Sequence, residues 1–302
     1  MQSLDFLAVG DITVDAFIKL SDAWVETDNP AHAQELCMRF AEKVPYESLT
    51  EVAAVGNSAN ASVCAARLGL TSALVTNIGN DDNGAKCIAV LQKEKVDTGF
   101  VARHGGAKTN YHFVLWYGAD RTILVKHEAY QYALPALPAP RWLYLSSIGG
   151  GTEAYHTEIA EWLAKNPEVK FAFQPGSFQI AQGAEKLRAL YERAEVLVCN
   201  AEEARKVLER NGEEPSGHGV PSGARDERGE RIRQNSSEGN FAGFAEVLSA
   251  LHMLGPRIVC ITDGPNGAYM LDGGDAYFMP IYPDPAPPVS RTGAGDAFAS
   301  TF

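Results

Sequence analysis

Short apolar runs separated by segments of helical period constrain this chain more than any other feature. The runs occupy residues 4–9, 72–78, 142–146, 169–173, 195–199 and 257–262. They are apolar on both alternating faces, as strands buried on both sides of a sheet must be. Between many of them lie segments whose apolar residues recur every three or four positions, at 59–68, 82–94, 152–165, 201–210 and 241–254. Gly69 follows the first of these and suits its C-cap. A parallel strand pair needs a crossover, and a helix supplies it, so strand alternating with helix predicts an α/β fold with a parallel sheet. With 302 residues and 45% hydrophobic content, the chain can bury a large core, and length alone allows one or two domains.

Four segments break the rhythm. Residues 16–20, 35–40, 110–117 and 122–126 have strand character without crossover helices. The last two flank Gly118-Ala119-Asp120, a hairpin turn by composition. Residues 211–240 are rich in Gly, Pro, Ser, Glu and Arg and nearly free of large apolar side chains. Such a segment buries too little surface to offset its ordering entropy, which predicts a mobile surface insertion.

Composition narrows the function classes. The net charge is −12 and no long basic run exists, which argues against a nucleic-acid-binding face. No basic segment leads into a signal-type apolar stretch, and no apolar stretch has the length of a membrane span. The expected location is therefore the cytoplasm. Cys37, Cys64, Cys87, Cys199 and Cys260 form no C-x-x-C pair and read as small buried hydrophobes in a reducing compartment.

The most chemically specific stretch is residues 291–298, Arg-Thr-Gly-Ala-Gly-Asp-Ala-Phe. Glycines 293 and 295 allow a tight turn into an apolar helix, with Asp296 at the junction. The amides of Gly293, Ala294, Gly295 and Asp296, with the partial positive charge of a helix N-terminus, can hold a transferring phosphoryl group. Asp296 can then take a proton from an attacking hydroxyl. The alternative is a helix-capping aspartate.

Other candidates follow expected strand ends, where open α/β sheets bind ligands. Asp15 follows Gly10 by five residues and can accept from two sugar hydroxyls, with Asp11 as a second candidate and a turn or cap as the alternative. Gly56, Asn57 and Asn60 sit where a strand feeds a helix; the asparagines offer donors and acceptors to hydroxyls, or Asn57 merely caps the helix. Asn200 and Glu203 share one helix face, with surface charge as the alternative. Thr262, Gly264 and Gly267 form a loop suited to close approach by nucleotide phosphates or ribose, or a β-turn. Gln174-Pro175-Gly176 is expected near the cleft without a role, and His127 and Lys126 end an expected strand that could touch substrate.

Taken in order, GDITVD (10–15), GNSAN (56–60), NAEE (200–203), TDGPNG (262–267) and RTGAGDAF (291–298) resemble the PfkB, or ribokinase-like, carbohydrate and nucleoside kinase family, across essentially the whole chain. The resemblance implies a single ribokinase-like domain over residues 1–302: a largely parallel central sheet flanked by helices, with a small β-lid drawn from about 12–45 and 96–130. It implies ATP-dependent phosphorylation of a hydroxymethyl group on a sugar or nucleoside. Asp296 would be the base, with Gly293, Ala294 and Gly295 as the anion hole. Asp15, Gly56, Asn57 and Asn60 would bind substrate. Asn200, Glu203, Thr262, Gly264 and Gly267 would serve ATP, and Glu203 would organise Mg²⁺ through water. Lids that pair between subunits would give a homodimer. Two departures stand out: Ser290 where relatives carry an acidic residue near a monovalent-cation site, and Val55 where relatives often show a second glycine. Family members continue beyond the helix in which Phe302 falls, which implies a C-terminally incomplete member. Two rival readings are a non-catalytic sugar or nucleoside binder and a dinucleotide oxidoreductase; residues 10–13, Gly-Asp-Ile-Thr, lack the G-x-G-x-x-G turn of the latter.

Overall fold

The computed structural model describes residues 4–27, 34–210, 238–283, 286 and 292–302. Through these residues run β1 (Phe6–Val9), β2 (Thr13–Leu20), β3 (Trp24–Glu26), β4 (Glu35–Cys37), β5 (Tyr46–Val55), α1 (Asn57–Arg67), β6 (Ser72–Gly79), α2 (Asp82–Lys93), β7 (Val101–His104), β8 (Tyr111–Tyr117), β9 (Asp120–Leu124) and β10 (Trp142–Leu145). There follow α3 (Glu153–Lys165), β11 (Lys170–Phe173), α4 (Ser177–Gln182), α5 (Arg188–Arg193), β12 (Val196–Asn200), α6 (Ala201–Arg210), α7 (Glu238–Met253), β13 (Ile258–Thr262), β14 (Ala268–Asp272), β15 (Asp275–Met279) and α8 (Ala294–Thr301).

The apolar runs become the central sheet, in the order β15-β14-β13-β12-β11-β10-β1-β6-β7. It is parallel from β7 to β13, and β14 and β15 are antiparallel additions. All eight residues of β6 are buried, so its apolar residues fall on both faces without alternation, and Ser72, Thr76 and Asn77 are buried with them. One face carries a core of Leu7, Leu143, Phe171, Phe173, Ile159, Leu248 and their neighbours; the other packs Ala8, Leu74, Ile78 and Tyr144 against Ala59, Ala61 and Leu91. α1 turns small residues, Ser58, Ala59, Ala61, Ser62 and Ala65, toward the sheet. This lets it approach so closely that Ser58 Oγ donates to Val9 O at 2.8 Å. The chain crosses from β1 to β6 and β7 on one side, then to β10 through β13 on the other. The direction therefore reverses beside β1, where the ends of neighbouring strands open a crevice.

Three of the four rhythm-breaking segments, as β2, β8 and β9, join β5 in a second sheet, β5-β2-β8-β9, beside that crevice. Tyr117 pairs with Asp120 around a two-residue turn at Gly118-Ala119, as the composition predicted. The longest strand, β5, had no sequence signal. It is exposed along most of its length, so both faces tolerate polar residues; its ladder with β2 defines it. The expected strand at 35–40 is shorter, and β4 pairs only with β3 in a separate ribbon. Boundaries moved elsewhere: α1 starts at Asn57 rather than 59, and α7 starts at Glu238, inside the expected insertion. The remainder of that insertion, 211–237, lies outside the described residues, as do residues 28–33 of the first lid segment, Ser290 and Arg291.

Candidate active site

A cleft of about 1230 Å³ lies where the carboxyl ends of the central strands meet the small sheet. Its size is above the few hundred to ~1,000 Å³ usual for a small-ligand pocket. Asp11, Gln174, Asn200 and Thr262 reach it from strand ends or the turns after them, and Thr292 to Asp296 close one wall.

That wall is the N-terminus of α8. Gly293 is the N-cap with φ 79° and no side-chain cap, so Asp296 stands three residues into the helix rather than capping it. Among the described residues, a Cβ on Gly293 or Gly295 would meet nothing within 4 Å, so neither position is glycine for want of space. α8 packs on α1. That contact brings Asn60 Nδ2 to Asp296 Oδ2, a donated hydrogen bond of 2.7 Å. Burial pushes the Asp296 carboxyl above the usual range, and the Asn60 bond and the Arg121 charge pull it partly back. An ionisable, orientated carboxylate beside open helix amides can accept a hydroxyl proton while the amides hold an anion.

Asp11 and Asp15 both line the cleft, and their surroundings separate them. Asp11 is 7% exposed and saturated. It accepts from His127 Nδ1 at 3.0 Å, from the Tyr132 hydroxyl at 2.8 and 2.9 Å and from Gly149 N at 2.8 Å. Asp15 on β2 stands opposite His112 on β8 in the parallel register. His112 Nδ1 lies 3.5 Å from Asp15 Oδ1, too long for a good hydrogen bond. Asp15 Oδ1 and His112 Nε2 are buried without a hydrogen-bond partner among the described residues. Burial pushes Asp15 up to about 6 and His112 down to about 4. Asp11 thus orders the wall through His127, whose ring packs edge-on against Phe178. Asp15 keeps its hydrogen-bonding capacity.

Gly56 is the N-cap of α1 at φ 122°, and an added Cβ would lie 2.7 Å from Asp11 O. The backbone needs glycine here for both reasons. Asn57 is the first helical residue and not the cap, and it lines the cleft beside Asn60 and Val55. On the opposite side, Asn200 and Glu203 cap α6 reciprocally. Asn200 Oδ1 accepts from Glu203 N at 2.8 Å, and Glu203 Oε2 accepts from Asn200 N at 2.9 Å. Burial raises the Glu203 carboxyl, and the nearby Asp296 charge adds to the rise. Thr262, Gly264 and Pro265 line the cleft, but Gly267 does not. Gly267 sits at φ 100° against β15, where a Cβ would lie 2.3 Å from Met279 O. Its glycine is explained by the turn into β14 rather than by a ligand.

The chain matches the family model described as pfkB family carbohydrate kinase over residues 29–302. The chain belongs to the pfkB family of carbohydrate kinases. A fructosamine kinase of Bacillus subtilis is 23% identical over 255 residues, 82% of this chain and 74% of that protein. Among solved structures, ribokinase from Cryptococcus neoformans, in complex with ADP, superposes with a TM-score of 0.70 at 21% identity, covering 99% of this chain and 85% of that one. Arabidopsis thaliana ribokinase, complexed with ribose and ATP, gives a TM-score of 0.70 at 17% identity, covering 99% and 84%. These likenesses establish the ribokinase fold.

Among the residues lining this pfkB-family cleft to which the sequence assigns no role are His112, Arg121, Phe178 and Gln174. Alternation within 111–117 and 120–124 was visible, but which alternate set faces inward depends on the pairing to β2. The cysteines are all free; Cys87, Cys199 and Cys260 are buried as expected, whereas Cys37 and Cys64 are only half-buried.

Proposed function

We propose that this protein transfers a phosphoryl group from ATP to a hydroxymethyl group of a sugar or nucleoside. The observation that carries this reading is a half-buried carboxylate, Asp296, held by Asn60 at the N-terminus of α8 inside the cleft. Asp296 accepts the proton as the substrate oxygen bonds to phosphorus. The amides of Gly293 to Asp296 stabilise the oxygens of the transferring group, and ADP leaves. Asp15 orients the substrate through neighbouring hydroxyls, with Gly56, Asn57 and Asn60 lining that end.

The residues suit ATP and magnesium. Two half-buried carboxylates, Asp296 and Glu203, face the same cleft, and the Asp296 charge adds to the burial that raises the Glu203 proton affinity, so the site favours a nearby cation. Mg²⁺ would be held through the phosphates and water, with Glu203, which lines the cleft, behind the water. When bound, Mg²⁺–ATP supplies the phosphoryl donor with its charge neutralised. Asn200, Thr262 and Gly264 line the nucleotide side. The small sheet acts as a lid whose inner face covers the substrate and excludes water. Pairing of two lids in a homodimer would cover Leu49, Phe113 and Leu124, exposed on the outer face.

The test is a phosphorylation screen of ribose, fructose, 2-keto-3-deoxygluconate, adenosine and other nucleosides with ATP and Mg²⁺. Transfer to at least one acceptor is expected. Tight acceptor binding with no transfer would replace this reading by a non-catalytic binder of the same fold.

A further inference from the structure

The lid's inner face is an ordered strip. The period of two along each strand sets Asp15 and Phe17 on β2, Val52 on β5, His112 and Val114 on β8, and Arg121 and Ile123 on β9 toward the cleft, with Val125 just beyond. Apart from Asp15, His112 and Arg121, this strip is apolar. Asp15 and His112 stand side by side at one end. Arg121 stands opposite Trp116, four residues along β9 from the level of His112. At ~3.3 Å per residue this separates their backbones by roughly 13 Å.

Arg121 is the one Arg or Lys among the described residues lining the cleft. No carboxylate pairs with it among those residues, although Lys19, Lys86 and Lys126 of the same region each have a glutamate. Its charge still reaches inward, since it lowers the proton affinity of both Asp15 and Asp296. A neutral polyol offers a guanidinium hydroxyl acceptors but no opposite charge. The cleft's other charged side chains, Asp11, Asp15, Glu203 and Asp296, are all acidic, so Arg121 is the one side chain of the lining whose charge attracts an anion. The α8 amides already serve the transferring group, whereas Arg121 rides on the sheet that carries Asp15.

Building on the kinase reading, we propose that the substrate is an elongated polyol bearing an anionic group, carboxylate or phosphate, at the end away from the phosphorylated hydroxymethyl. Asp15 and His112 read its hydroxyls, Val114, Ile123 and Val125 cover its middle, and Arg121 binds the anion.

Calorimetric binding in the presence of ADP tests this without requiring transfer. D-glucitol, D-gluconate and D-glucitol 6-phosphate each keep a free hydroxymethyl group and differ in the charge of the other end. The wild-type protein should bind one anionic member about ten-fold or more tightly than glucitol, the scale of one charge-assisted hydrogen bond. Which anion gains shows whether carboxylate or phosphate is read. The preference should weaken in high salt and vanish in Arg121→Ala, and Arg121→Lys should restore part of it. A wild-type protein that binds all three alike, or none, overturns the proposal, as does a preference that survives in Arg121→Ala. Unchanged binding with turnover lost equally on every acceptor in Arg121→Ala would assign the arginine to the phosphoryl group and also overturn it. A preference intact in a protein that phosphorylates nothing would sink the kinase reading and leave this one standing.

Discussion

Asn60 and Asp296 are 236 positions apart and joined by a 2.7 Å hydrogen bond from amide to carboxylate. The bond favours the ionised form of Asp296 against the burial that opposes it. Asn60→Ala should therefore raise the Asp296 pKa. The acid limb of the kcat profile should move to higher pH, and an unmoved limb would disconnect Asn60 from the base. Asp296→Asn keeps size and polarity but removes the base. Turnover should fall by about 10²–10⁴-fold. ATP affinity, measured by calorimetry, should change little because the amides remain.

Asp15 allows a prediction with opposite signs for binding and stability. Its pKa is raised to about 6 by burial, so the carboxylate is lost as pH falls below that value. The kcat/KM for the acceptor should decline through the same window, while binding of ADP stays flat. For stability, the folded protein holds the Asp15 proton more tightly than the unfolded chain between about pH 4 and 6, so stability falls as pH rises through that range. Asp15→Asn should thus be more stable than wild type at pH 7, by on the order of 1 kcal/mol after allowing for solvent screening at the cleft. It should bind the acceptor more weakly. A destabilised Asp15→Asn would show that the carboxylate has a structural partner.

Asp11 should behave differently. Tyr132→Phe removes one donor from a saturated, buried carboxylate and should cost about 1–3 kcal/mol in denaturant unfolding. Acceptor affinity should move less than in Asp15→Asn. The reverse ranking would make Asp11, not Asp15, the substrate carboxylate.

Gly56→Ala sets a Cβ against Asp11 O at a backbone angle disfavoured for L-residues. A loss of about 1–3 kcal/mol in unfolding free energy is expected, with a raised acceptor KM because Asp11 and the start of α1 shift together. A stable Gly56→Ala with normal KM would mean that the turn relaxes freely.

Glu203→Gln separates capping from charge. A glutamine oxygen can still accept from Asn200 N, so melting temperature should hold. The Mg²⁺ concentration needed for half-maximal turnover should rise several-fold. Loss of stability without a change in Mg²⁺ dependence would leave Glu203 a helix cap only.

The local pattern by itself determined the α/β class, the buried strands and the helix that starts after Gly293. Those features depend on neighbours within a few residues: apolar runs for β1 and β6, a 3.6 period for α2 and α3, and glycines where a helix must begin. It also placed Asp296, because the turn and the helix that position it are contiguous in the chain. Tertiary structure alone decided the rest. β5 is polar on both faces and exists through its ladder to β2. The choice between Asp11 and Asp15 came from donors on Tyr132, Gly149 and His127, over a hundred residues away. The sequence leaves Gly267 open between a nucleotide loop and a β-turn, and its packing against β15 accounts for the turn. His112 and Arg121 face the cleft because of strand register, and a shift of one residue would turn both outward. Hydrogen-bond saturation and register are set by residues remote in sequence, so no local pattern records them.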